Sequence, residues 1–161
     1  MSNRNPIRQS NPDLMYSPQV PIEEFKSNMT LLVNRFKNEC ASDVFLLTPS
    51  MCNPESLLAW LHGRGIMVDD TGKTNETSRQ YADAVLQVGE ETGSPAIDLY
   101  ELSERHQRDG VRDEELFTDG LHYTPRAYKV SRTAIAGGLR AKALIADATA
   151  RCATDHLSSS P

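Results

Sequence analysis

From Pro21 onward the apolar positions of the chain fall into helical register. Ile22, Phe25, Met29, Leu32, Val33 and Phe36 share one face, while Glu23, Glu24, Lys26, Asn28, Arg35 and Lys37 lie mostly on the other. Pro21 at the first turn, with two glutamates behind it, suits a helix start, because proline lacks only an amide that would be unpaired there and the carboxylates meet the positive end of the helix dipole. The spacing predicts a helix of roughly 19 residues. Asp43-Val44-Phe45-Leu46-Leu47-Thr48-Pro49 is a short continuous apolar run that stops at a proline, the pattern of a strand buried on both faces of a parallel sheet. A short helix over Pro54 to Leu61 then leads into a glycine- and aspartate-rich loop, His62 to Gly72. Thr74 to Thr92 predicts a second amphipathic helix, with Tyr81, Ala84, Val85 and Val88 as its buried stripe and Gly93 as its stop. Pro95 to Leu99 is a second strand, followed by a helix around Tyr100 to His106 that exposes Glu101, Glu104, Arg105 and His106. An alanine-rich helix runs from Pro125 to about Ala150.

Strands separated by helices imply parallel pairing and an α/β layered sandwich. Two strands alone are too narrow to cover the apolar faces of four or five helices, and they leave hydrophobic edges unpaired. The expected fold is therefore a partial sheet from which strands are missing. The organisation that follows is an extended or disordered lead-in over residues 1–20, an ordered domain over 21–150 and a serine-rich disordered tail over 151–161.

Composition narrows the partners. The 161 residues carry 17 basic and 22 acidic side chains, a net charge of −5, without a basic run, which argues against a nucleic-acid surface. No apolar run approaches the ~20 residues that span a bilayer, and the N-terminus lacks the apolar stretch of a signal peptide, so the expectation is a soluble, cytoplasmic protein. Cys40, Cys52 and Cys152 are an odd set without C-x-x-C spacing, which favours reduced thiols over a zinc site or a disulfide framework. Gly63 and Gly65 belong to no phosphate-binding pattern, and Asp69-Asp70 read as solvated turn residues, so neither cofactor nor metal is expected.

Candidate chemistry concentrates in Phe117-Thr118-Asp119-Gly120-Leu121-His122-Tyr123-Thr124-Pro125, where a carboxylate and an imidazole stand three residues apart. Asp119-Gly120 reads as a tight turn, and Thr124-Pro125 as a helix N-cap followed by proline. His122 then precedes a helix N-terminus, where the dipole favours the neutral ring, and Asp119 could orient it through the Nδ1 hydrogen. By spacing alone, a turn aspartate beside a surface histidine is the plainer reading. Ser50, Met51, Cys52 and Asn53, beyond the C-terminal end of the first strand, are candidates to line a pocket, with a plain loop as the alternative. Ser50 lacks the G-x-S-x-G elbow of a nucleophile.

Taken in order, several segments resemble the SGNH (GDSL-type) hydrolases, in particular their isoamyl acetate-hydrolysing esterase branch. Val20 to Asn28 is similar to the family's V-P-I/L-x-x-F/Y-K-x-N helix, and Leu46-Leu47-Thr48-Pro49 to a strand ending in T-P-P. Thr74-Asn75-Glu76-Thr77 with Tyr81-Ala82 resembles T-N-E-x-x-x-x-Y-A, Ala96-Ile97-Asp98-Leu99 resembles V-V/I-D-L, and Phe117 to Pro125 resembles the family's last block, with Ala127 where glycine is usual. The resemblance implies a partial three-layer αβα sandwich of the SGNH-hydrolase, flavodoxin-like kind, lacking its N-terminal strands. It also implies that Asp119 and His122 are the acid and base of a Ser-His-Asp triad. The family's G-D-S block is absent from the sequence, and the first two blocks would precede residue 1; Gln9-Ser10-Asn11-Pro12-Asp13 stands roughly where G-x-N-D belongs but lacks the glycine.

Two functions follow as expectations. One is the C-terminal portion of an esterase acting on small esters, inactive as this isolated chain. The other is a truncated, non-catalytic descendant that binds or forms a homodimer through its exposed sheet edge.

Overall fold

The computed structural model describes residues 20–40 and 43–138. The lead-in before Val20, the last helix beyond residue 138, the tail, Cys152, His156 and the Gln9–Asp13 segment lie outside the described residues.

The first helix, α1 (Ile22–Cys40), has the 19 residues its period predicts. It is followed by β1 (Leu46–Leu47), α2 (Pro54–Gly63), α3 (Asn75–Thr92), β2 (Ala96–Ile97), α4 (Leu99–Arg108) and a single-turn α5 (Asp113–Leu116). A last helix, α6, covers residues 125–138. The strands pair in parallel, Leu46 opposite Ala96 and Leu47 opposite Ile97, which gives an α/β fold with, among the described residues, a two-stranded parallel sheet.

Alternation along the strands assigns the layers. Leu46 and Ala96 share one face and pack with Val33 and Met29 of α1 and Val85 and Val88 of α3. On the other face, Ile97 meets α6, for a Cβ placed on Gly138 would stand 3.3 Å from Ile97 Cδ1. A second cluster, Met51, Ala82, Tyr100, Leu116, Phe117 and Ala127, lies beyond the strand ends and seats the Asp119–His122 loop. Thr48, 3% exposed, ties these ends together: its hydroxyl donates to Asp98 Oδ1 (3.2 Å) and accepts from the Leu99 and Tyr100 amides (2.8 and 3.2 Å).

Three expectations about these elements need correction. The strands are shorter than Asp43–Pro49 and Pro95–Leu99, because ladder pairing is confined to two residues of each and Leu99 already belongs to α4. β1 is not buried on both faces, since Leu47 is 45% exposed at its open edge. On α1 the apolar stripe is only partly covered: Val33 is buried, but Leu32 and Phe36 are 50% and 54% exposed, because the sheet does not extend beneath them. Among the described residues no helix is long and apolar enough to cross a membrane.

Candidate active site

Phe117 and Tyr123 form an antiparallel bridge that closes residues 118–122 into a small hairpin between α5 and α6. The stem is secured by Thr118 N–H on His122 O (2.8 Å) and Thr124 N–H on Leu116 O (2.8 Å). Thr124 also caps α6, its Oγ1 accepting from the Ala127 amide at 3.1 Å, as the Thr-Pro pair predicts.

At the tip, Asp119 Oδ1 accepts the amides of Leu121 (2.9 Å) and His122 (2.8 Å), an Asx turn made possible by Gly120 at φ +87°. Asp119 Oδ2 lies 2.7 Å from His122 Nδ1. An ionised carboxylate only accepts hydrogen bonds, so the neutral ring carries its hydrogen on Nδ1 and its lone pair on Nε2. Burial alone would raise the Asp119 carboxyl, but the hydrogen bonds from His122 and Leu121 outweigh it and hold the group below its ordinary value. The Asp119 side chain is 7% exposed and the His122 side chain 67%, so the orienting acid is enclosed and the ring faces outward. Such a pair can take a proton at Nε2 and stabilise the resulting imidazolium. Among the described residues no serine or cysteine side chain hydrogen-bonds to Nε2.

The hairpin is fixed from below by Asn53. Its backbone amide donates to Gly120 O (2.7 Å), its Oδ1 accepts from the Ser56 amide (2.9 Å) at the start of α2, and its Nδ2 donates to Asp113. Gln107 Nε2 reaches the other Asp113 oxygen at 2.6 Å. Gly120 is packed so closely on this turn that an added Cβ would stand 2.4 Å from Asn53 O and 2.5 Å from Leu57 N. Of the four pocket-lining candidates, Asn53 lines a cavity of about 290 Å³ together with Asp119, Gly120 and Trp60 as well as holding the hairpin, while the Cys52 amide donates to Asn75 Oδ1 of α3 at 2.8 Å. Met51 is core, Cys52 is buried with its thiol pushed up by desolvation, and Ser50 lies near the Tyr123 hydroxyl. The sequence signal for Asn53 was available in Asn53-Pro54, the same cap-then-proline pattern as Thr124-Pro125. Tyr123 carried no such signal. Asp69 and Asp70 lie on the surface, with Asp70 Oδ1 accepting from Gly72 N at 3.0 Å, and Tyr81 is half-buried against Phe25 at 5.0 Å between ring centroids.

No family model matches the chain. Among curated proteins, an isoamyl acetate-hydrolyzing esterase 1 homolog of Bos taurus is 27% identical over 128 residues, covering 78% of this chain and 47% of its own length. The Homo sapiens homolog is 27% identical over 127 residues, with the same two shares. This chain is related to the SGNH, or GDSL-type, hydrolases. The GDSL esterase/lipase WDL1 of Oryza sativa subsp. japonica supports the relationship, at 29% identity over 118 residues, 70% of this chain and 42% of the rice protein. The chain spans about half the length of the curated SGNH relatives it matches.

Proposed function

We propose that this chain carries the acid-base half of a Ser-His-Asp carboxylic ester hydrolase acting on small esters, acetate esters among them. The observation that supports it is the enclosed Asp119 carboxylate on Nδ1 of an outward-facing His122, on a hairpin at the C-terminal ends of parallel strands, where sites form in open α/β sheets. His122 Nε2 would take the proton of a serine as it attacks the ester carbonyl and return it to the departing alkoxide, while Asp119 steadies the imidazolium. The sequence holds no G-D-S block, so in this reading the serine and the donors to the oxyanion come from polypeptide outside these 161 residues. Without them the pair assists water only weakly, because those donors lower the barrier most.

The test exchanges the matching segment of the bovine relative for this chain and follows p-nitrophenyl acetate hydrolysis. The expected result is a rate in the folded chimera that His122→Ala lowers by at least about 10³-fold, and no His122-dependent rate from the 161-residue chain alone. A chimera indifferent to His122→Ala would sink the assignment of the pair. A clear His122-dependent rate from the chain alone would sink the absence of the nucleophile.

A second reading, a non-catalytic protein that self-associates, is favoured by one observation. A groove of about 490 Å³ follows the open edge of β1, lined by Val20, Phe25, Met29, Leu47, Tyr81 and Val85 among others. Two copies meeting edge to edge across a two-fold axis would cover it and pair the strand. Sedimentation equilibrium decides between monomer and dimer.

A further inference from the structure

The Asp119–His122 hairpin has a second anchor, at its stem, in a side chain with no assigned role. The Tyr123 ring stacks on Phe117 (centroids 5.6 Å, planes 25° apart) and meets Tyr128 edge-on at 5.7 Å. The hydroxyl runs on into the protein and ends among hydroxyls from three elements: Ser103 on α4, Ser50 beyond β1 and Ser131 on α6.

The protons of this cluster can be assigned. Ser103 Oγ reaches Leu99 O at 2.8 Å and the Tyr123 hydroxyl at 2.6 Å, and the Tyr123 hydroxyl also reaches Leu99 O at 3.3 Å, so the shorter contact favours Ser103 donating to the carbonyl and the tyrosine donating to Ser103. Ser131 Oγ gives its proton to Ala127 O at 3.0 Å. Tyr123, Ser103 and Leu99 O thus form one hydrogen-bonded cluster that joins the stem of the hairpin to the first turn of α4. Ser103 and Ser131 are 2% and 5% exposed, so water does not readily replace these bonds.

We propose that the Tyr123 hydroxyl is a positioning group for the site, fixing the stem of the hairpin against the strand ends so that Asp119 and His122 keep their register. This rests on the reading of that pair as acid and base. Residue 123 follows the histidine directly and bridges Phe117, so a stem free to shift would carry the His122 backbone with it. That motion would loosen the amide contact that shares the Asp119 carboxylate with the ring. Asn53 holds the tip through Gly120, and Tyr123 holds the base; together they leave the pair little freedom.

The test is Tyr123→Phe in the full chain, read by the ring ¹⁵N shifts of His122 at a pH where the ring is neutral. The variant keeps the ring stack and loses only the hydroxyl. The expected result is ring shifts moved from the Nδ1–H tautomer toward those of free histidine, accompanied by a small fall in melting temperature. Ser103→Ala, which removes the acceptor and leaves the tyrosine, should move the same shifts in the same direction. It supplies the answer if the phenylalanine variant does not fold. Unchanged His122 shifts in a folded Tyr123→Phe or Ser103→Ala protein would overturn the proposal, even if stability falls, because a merely structural tyrosine would act on melting alone. The readout needs no turnover, so a failed esterase assignment leaves this result standing and is recognised separately in the chimera.

Discussion

Asp119 divides its two oxygens between structure and chemistry: Oδ1 holds the Leu121 and His122 amides, and Oδ2 holds the ring. This has a pH signature. The folded-state carboxyl sits below its ordinary value of 3.8, so the ionised form favours the fold above that value, and the contribution is lost as pH falls through the lower folded value. Acid unfolding followed by circular dichroism should therefore show a steeper loss of stability below about pH 4 in the native chain than in Asp119→Asn. Equal slopes would mean the carboxylate is not held by these bonds. The pair's geometry was half legible beforehand. The Asp-Gly turn and the Thr-Pro cap are local chemistry, but which carboxylate oxygen meets which nitrogen depends on how residues 120–122 turn in space.

At the scale of elements, two glycines separate local from tertiary constraint. Gly93 ends α3 at φ +61°, and nothing lies within 4 Å of where its Cβ would be. Gly93→Ala should therefore cost only the left-handed backbone strain, about 1–2 kcal/mol. Gly120 combines φ +87° with the backbone of α2 inside contact distance, so Gly120→Ala should cost about 2–4 kcal/mol. Urea unfolding of the two variants tests the difference; equal costs would mean the hairpin can lift off α2. The Gly93 stop was readable from the end of an apolar period. The closeness of Gly120 to Asn53 was not, because it joins segments far apart in sequence. The single turn of α5 escaped for a related reason: four residues are too few to show a period.

Over the whole molecule, several large apolar side chains are exposed, among them a group on α1 and β1. Leu31, Leu32 and Phe36 on α1 and Leu47 on β1 are each at least 45% exposed. If two copies meet there, Leu47→Lys should convert a sedimenting dimer into a monomer, while Met67→Lys, at the 74% exposed Met67 of the loop after α2, should leave it unchanged. A native chain that sediments as a monomer at high concentration would remove the second reading. Substituting Leu47 should cost less stability than substituting a buried core residue, because Leu47 is already 45% exposed.

The type and order of the longer elements were determined by the sequence itself: the period of α1, the stop at Gly93, and the proline that ends the first apolar run all rest on interactions within a few residues. So did the candidate pair, through its turn and cap chemistry, and the likeness to SGNH hydrolases that the curated relatives bear out. Only the tertiary structure decided that Leu32 and Phe36 stay exposed, that Asn53 and Tyr123 brace the hairpin, and that the acid is enclosed while the histidine faces out. Burial and long-range hydrogen bonds depend on which surfaces meet, and the two short strands among the described residues supply too little sheet to cover every apolar face that a helical period marks.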